Sequence, residues 1–206
     1  TLAGALAAAK LNIKVAHIEA GLRSFDRSMP EEVNRIVTDH LATFNFAPTE
    51  LAMKNLKSEG LGNLSYIVGD VMLDTAKFFS KRAEVKSSII SKLGLITKNF
   101  VLATVHRASN TDNADNLKTL LESLSIVAET IPVVMPLHPR TKKVMTENNF
   151  GSAYNGINFI EPVGYLDMVM LQENSRLIAT DSGGVQKEAF FFGVPSVIFR
   201  ENTEWM

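Results

Sequence analysis

The sequence predicts an α/β protein built from two parallel-sheet units. Short apolar runs alternate with amphipathic helical patterns along nearly the whole chain. That alternation builds parallel sheets joined by right-handed crossovers. The rhythm breaks once, around residues 67–95, and divides the chain into a unit over 1–66 and a unit over 67–206. No internal repeat and no low-complexity segment competes with this reading.

Taken in order, residues 1–9 read as an Ala-rich helix and Lys14 to Glu19 as a strand, followed by a loop from Gly21 to Met29. Pro30 suits the first turn of a helix that runs to about Leu41. Its apolar stripe is Val33, Ile36, Val37 and Leu41, the expected buried face. Thr43 to Phe46 is extended, Thr49 caps a helix ending near Gly60, and Ser65 to Val68 is a strand. The glycines of Gly60-Leu61-Gly62 follow a helix, so they read as a helix C-cap rather than a dinucleotide fingerprint. After Gly69-Asp70 the pattern is mostly helical to about Leu93. The second alternating set has strands at Phe100–Val105, Pro132–Leu137, Ile157–Ile160, Arg176–Ala179 and Pro195–Phe199. The helices between them span Asp112–Glu129, Arg140–Asn148 and Tyr165–Gln172, with a last one from Val185.

Composition narrows the function classes. Of 206 residues, 46% are hydrophobic and 21% charged, which suits a soluble core-forming chain. The formal net charge of −1 offers no basic field for nucleic acid. The absence of cysteine rules out disulfide and thiolate chemistry within the chain and fits a reducing, cytoplasmic compartment. No apolar run reaches the length of a membrane helix. The chain has no initiator Met, opens inside a helix pattern and ends just after a strand, so an internal fragment is expected.

In open α/β sheets ligands sit at the carboxyl ends of strands, which selects the polar residues to suspect. The segment Thr180-Asp181-Ser182-Gly183-Gly184-Val185-Gln186-Lys187-Glu188 runs from a strand through two glycines into a helix. The first N–H groups of a helix lack internal partners and sit at the positive end of its dipole, so this is an anion-site pattern. Gly183 and Gly184 leave the backbone open to a phosphate, Ser182 adds a hydroxyl, and Glu188 can accept from sugar hydroxyls. The same pattern also serves as a plain strand–helix connection. Glu19 closes the first strand, as a base, a sugar-hydroxyl acceptor or a surface carboxylate. Glu31 and Arg35 lie four apart, away from the apolar stripe. In bulk water they would be an ion pair worth about 0.3–0.5 kcal/mol; lining a cleft, they can do chemistry. His106 and Arg107 follow the strand that opens the second unit, where they can contact a diphosphate or supply a proton. His138 follows the next strand. The histidines, at 17, 40, 106 and 138, show no metal-ligand spacing, so no metal is expected.

The ordered segments HIEAGLRS (17–24), PEEVNR (30–35), FAPTE (46–50), VHRASN (105–110), HPRT (138–141) and TDSGGVQKEA (180–189) resemble the non-hydrolysing UDP-N-acetylglucosamine 2-epimerase family. The resemblance covers nearly the whole chain. It implies a glycosyltransferase-B-like fold of two Rossmann-like domains with the active site in the cleft between them. Here the fold would be truncated at both ends: 1–66 as the C-terminal half of the first domain, and 67–206 as the UDP-binding domain without its last elements. It also implies inversion at C2 of UDP-GlcNAc to give UDP-ManNAc, by elimination of UDP to a 2-acetamidoglucal and re-addition. The expected catalytic residues are Glu19, Glu31, Arg35 and His106. Arg107, His138, Ser182, Gly183, Gly184 and Glu188 bind substrate, with Ser182, Gly183 and Gly184 on the diphosphate and Glu188 on the ribose. No cofactor is implied; the expected partners are a UDP-sugar and, at full length, a second copy of the chain.

The chain departs from the family pattern in informative places. The family's N-terminal glycine-rich strand–loop, its Gly-Asp-Thr segment with a further active-site Asp, and its final helices are absent, so this chain alone is expected to be inactive. Ser109 stands where many members have a Glu that belongs to an allosteric UDP-GlcNAc site, which argues against that regulation here. Trp205 stands where many have Arg; a branch of the family with Thr-Glu-Trp at this place includes enzymes that act on UDP-linked diacetamido-glucuronic acid. A glycosyltransferase, a hydrolysing epimerase and a non-catalytic nucleotide-sugar binder are the competing readings. The Glu19–Glu31 pair argues against a transferase, which has no work to do at C2.

Overall fold

The computed structural model describes residues 1–150 and 154–200. The chain forms two compact units, Thr1–Asp74 and a second beginning at Thr75. Asn202, Thr203, Glu204 and Trp205 lie outside the described residues.

The first unit contains α1 (Leu2–Lys10), β1 (Ala16–Ile18), α2 (Pro30–Leu41), β2 (Phe44–Ala47), α3 (Glu50–Ser58) and β3 (Ser65–Ile67). Its sheet is parallel, in the order β1-β2-β3. Pro30 occupies the first turn of α2, where an N–H would have no helical partner. Thr49 caps α3 by accepting the Ala52 N–H at 3.1 Å. The helix ends on Gly60 at φ +80°, with Leu61 N–H bonded to Leu56 O at 2.9 Å and Gly60 N–H to Lys57 O at 3.1 Å. This Schellman pattern closes the last turn.

Two expectations fail in this unit. The first strand stops at Ile18, because Glu19 takes φ +64°, a left-handed conformation that ends the extended run. The apolar stripe of α2 is not its buried face. Val33 and Val37 are 41% and 38% exposed, while Glu32, Thr38 and Asp39 are buried. The inward face of α2 supplies acceptors to loop N–H groups, Glu32 to those of Ser24 and Phe25 and Asp39 to that of Gly21.

The second unit continues from α4 (Val71–Lys86), which crosses the boundary, through α5 (Ile89–Lys92), β4 (Val101–Thr104), α6 (Ala108–Thr111) and α7 (Ala114–Ala128). It then runs through β5 (Val133–Pro136), α8 (Pro139–Glu147), β6 (Ile157–Ile160), α9 (Tyr165–Asn174), β7 (Leu177–Thr180), α10 (Gly183–Phe191) and β8 (Ser196–Ile198). The long helix expected from Asp112 starts at Ala114, because Asn113 caps it by accepting from Asp115 N–H at 2.9 Å. The final helix starts at Gly183, not Val185, with Ser182 as its N-cap.

All pairings in this sheet are parallel, in the order β6-β5-β4-β7-β8. The strands β4 and β5 are buried throughout, as expected when helices cover both faces. Val101, Ala103, Val133 and Met135 pack with Leu117, Leu121, Leu124 and Met145 of α7 and α8 on one face. Leu102, Val134 and Ile178 pack with Ile89, Leu171 and Ala189 of α5, α9 and α10 on the other. The chain winds outward from β4 in one direction, then returns to lay β7 on its other side. The point between β4 and β7 is therefore a topological switch point, where loops diverge and leave a crevice. Among the described residues no helix is long and apolar enough to cross a membrane.

Candidate functional site

In the second unit, Thr104 and Thr180 are register partners at the carboxyl ends of β4 and β7, and their hydroxyls bond to each other at 2.6 Å. Both strands then turn into the residues singled out by sequence. The link between the two exits is Asp181, which is fully buried. Its carboxylate accepts the His106 N–H at 3.1 and 2.9 Å, the Arg107 N–H at 2.9 Å and Asn110 Nδ2 at 3.0 Å. Arg107 Nε donates to the Asp181 carbonyl at 2.8 Å. A buried carboxylate is stable only when its acceptor sites are filled, and here backbone and amide donors fill them.

His106 is half-buried, with Nδ1 3.4 Å from Asp181 Oδ1. Burial pushes its pKa below the usual 6.5; Asp181 opposes the shift, and His138 and Arg107 add to it. A neutral imidazole with its Nδ1 side toward a carboxylate offers Nε2 as an acceptor. The rings of His106 and His138 lie 5.3 Å apart, tilted by 32°. His138 caps α8, its Nδ1 accepting the Arg140 N–H at 3.2 Å. The structure thus joins His106, Arg107 and His138 at adjacent strand ends.

Ser182, Gly183 and Gly184 form the N-cap and first two residues of α10. Ser182 Oγ accepts the Val185 N–H at 3.4 Å, which leaves its hydroxyl proton to donate outward. Gly183 and Gly184 carry first-turn N–H groups without intrahelical acceptors, at the positive end of the helix dipole. Glu188 is buried one turn further on, where Tyr165 O–H donates to Oε1 and Gln172 Nε2 to Oε2, each at 2.8 Å.

In the first unit, Glu19 is half-buried in the loop after β1. That loop is fixed by Asp39, fully buried on α2, which accepts the Gly21 N–H at 3.1 Å and meets His17 Nδ1 at 2.5 Å and Arg23 at 2.7 Å. Asn55 Nδ2 donates to the Gly21 carbonyl at 2.9 Å. Arg23 grips Glu59 with two bonds of 2.7 Å. Burial works against the Arg23 charge, but its bonds to Glu59 and Asp39 outweigh that and hold its pKa above the ordinary value. Glu32, also fully buried, accepts the Ser24 and Phe25 N–H groups at 2.9 and 3.0 Å. So α2, which carries exposed Glu31 and half-buried Arg35, is tied to the loop that carries Glu19. Arg35 NH1 lies 3.4 Å from Glu32 Oε2.

Sequence reasoning assigned no role to Asp181, Asp39 or Glu32. A signal was available for the last two. They are seven residues apart on one helix, so they share a face, and two acids on one face of a packed helix call for donors. Asp181 was visible as an acid between an apolar strand and a glycine pair.

Comparisons with known proteins identify the family of the chain. The UDP-N-acetylglucosamine 2-epimerase family model matches residues 1–206. A UDP-2,3-diacetamido-2,3-dideoxy-D-glucuronate 2-epimerase of Pseudomonas aeruginosa is 51% identical, over 100% of this chain and 57% of its own length. A UDP-N-acetylglucosamine 2-epimerase homolog of Methanococcus maripaludis is 48% identical, over 100% of this chain and 58% of its own. The crystal structure of Methanocaldococcus jannaschii UDP-GlcNAc 2-epimerase, in complex with UDP-GlcNAc and UDP, superposes with a TM-score of 0.89 at 45% identity. That match covers 99% of this chain and 58% of the other. The chain thus spans somewhat over half the length of these relatives, and its fold is glycosyltransferase-B-like, as theirs is. By the match of its full span to the family model, the chain belongs to the UDP-N-acetylglucosamine 2-epimerase family.

Proposed function

We propose that the protein, at the full length of its relatives, interconverts UDP-GlcNAc and UDP-ManNAc. The observation that carries this reading is the switch point of the second unit. There a helix N-terminus of Ser182, Gly183 and Gly184 opens beside His106 and Arg107, which the buried Asp181 holds. Backbone N–H groups and a fixed guanidinium suit a diphosphate, and charge on that group grows as it departs. In the forward direction a carboxylate removes the C2 proton and the C1–O bond to UDP breaks, giving a 2-acetamidoglucal. UDP then re-adds at C1 as C2 is protonated from the opposite face. Glu19 and Glu31 are the proposed carboxylates at C2, with Arg35 and His106 supporting the leaving group or the proton transfers. Ser182, Gly183 and Gly184 hold the diphosphate, Glu188 holds the ribose, and Arg107 and His138 bind the substrate beside them. A cytoplasmic homodimer is the working state.

The identity with the Pseudomonas aeruginosa protein favours a second reading, in which the same chemistry acts on a UDP-linked diacetamido-glucuronic acid. Incubating the full-length protein with each sugar nucleotide in deuterated water separates the readings. Deuterium at C2 of UDP-ManNAc supports the first, exchange only in the diacetamido-glucuronate supports the second, and free ManNAc marks a hydrolysing epimerase. Absence of exchange in both substrates rejects an epimerase.

A further inference from the structure

The Glu188 carboxylate is fixed by two side chains from a single neighbouring helix. Tyr165 and Gln172 are seven residues apart on α9 and therefore share a face. The Tyr165 hydroxyl donates to Glu188 Oε1 and Gln172 Nε2 donates to Oε2, each at 2.8 Å. A carboxylate only accepts, so the Gln172 amide must turn its nitrogen toward Glu188. Its Oε1 is then left buried without a hydrogen-bond partner. Buried polar atoms are nearly always paired, and an orphan retained in a core calls for an explanation. Tyr165 remains a donor over the whole physiological range. Burial, reinforced by the bond to Glu188 and its charge, pushes the phenol pKa up to about 12. The Tyr165 ring is set edge-on against Phe79, 5.4 Å between centroids, which fixes where its hydroxyl points.

Each carboxylate oxygen has two acceptor positions, and the two protein donors use one on each. We infer that Tyr165 and Gln172 are positioning residues that hold Glu188 with one acceptor position per oxygen left for ribose hydroxyls, making the site selective for ribonucleoside over 2′-deoxyribonucleoside diphosphates. This rests on the reading of Glu188 as the ribose-binding carboxylate and extends it to the residues that set its selectivity. A carboxylate already locked in place loses no rotamer freedom when the sugar arrives. A site built to accept a hydroxyl rejects the analogue that lacks it more sharply than an apolar pocket rejects a size change.

The test titrates UDP and 2′-deoxy-UDP into the full-length protein by ligand-detected NMR, for the wild type, Tyr165→Phe, Gln172→Met and Glu188→Gln. The wild type is expected to prefer UDP by about tenfold or more. Tyr165→Phe keeps the ring and its contact with Phe79, so its thermal midpoint should stay near the wild-type value while the preference drops several-fold. Gln172→Met should lower the preference in the same direction, and Glu188→Gln should bring it close to one. If Glu188→Gln loses the preference but Tyr165→Phe and Gln172→Met keep it, Glu188 holds the ribose without their help and the inference falls alone. If Glu188→Gln keeps the preference, or the wild type has none, the ribose assignment falls and takes the inference with it. Equal loss of affinity for both nucleotides in Tyr165→Phe, with a lower thermal midpoint, would mean a purely structural hydroxyl and also overturns it.

Discussion

The buried Asp181 carboxylate receives the backbone N–H of His106 on both of its oxygens, at 3.1 and 2.9 Å. One side chain after β7 therefore sets the path of the chain after β4. Asp39 does the same in the first unit, where it receives the Gly21 N–H and so fixes the loop that carries Glu19. In each unit a buried acid holds the segment that carries candidate site residues.

Replacing Asp181 by Ala should be among the most damaging changes in the second unit. The N–H groups of His106 and Arg107 lose their acceptor together, and Asn110 Nδ2 keeps only the Phe199 carbonyl. At about 1–3 kcal/mol for each buried donor left unpaired, a loss of roughly 3–5 kcal/mol is expected. Hydrogen exchange of the β4 and β7 amides reads it, and unchanged protection would show that Asp181 is not the link between the two strand exits.

Acid should destabilise the second unit through His106. Its folded pKa lies below 6.5, chiefly because of burial, so between that value and 6.5 the unfolded chain binds the proton and the folded one does not. The neutral ring's contribution to stability is complete above 6.5 and is lost as pH falls through the folded pKa. The His106 ring titration, followed by NMR, should have its midpoint below 6.5, and His138→Ala should raise it. A wild-type midpoint at or above 6.5 contradicts the burial seen here.

Gly21→Ala should cost about 2–4 kcal/mol, combining a strained backbone with overpacking. Gly21 has φ +82°, and a Cβ there would lie 2.3 Å from the Ala52 carbonyl oxygen and 2.8 Å from Leu56 Cγ. Denaturant unfolding of the first unit measures the loss; a change under about 1 kcal/mol would mean that the loop relaxes freely.

Arg23→Met should be worse than removal of an ordinary surface ion pair. Its guanidinium is almost fully covered and serves both Asp39 and Glu59. Leaving the fully buried Asp39 without its cation is expected to cost about 3–5 kcal/mol. The double variant Arg23→Met with Asp39→Asn should recover part of that loss. If the two changes simply add in denaturant unfolding, the residues are not coupled.

Sequence by itself determined the alternation of strands and helices, the caps at Pro30, Thr49 and Gly60, and the residues at strand ends. These are local properties. Periodicity, capping chemistry and glycine conformation act within a few residues, and an ordered set of motifs identifies a family without any coordinates. Strand order was decided only in three dimensions, because any parallel order satisfies the same alternation. So was the burial of Glu32 and Asp39 in place of Val33 and Val37, because a helix face is chosen by what it meets, and α2 meets loop N–H groups that need acceptors. The start of α10 at Gly183 likewise depends on Ser182 being held by Thr180, whose hydroxyl accepts the Ser182 N–H at 3.0 Å while bonded to Thr104 on the neighbouring strand. The clamp at Asp181 joins residues 75 positions apart in the chain, a pairing that only the packing of β4 against β7 creates.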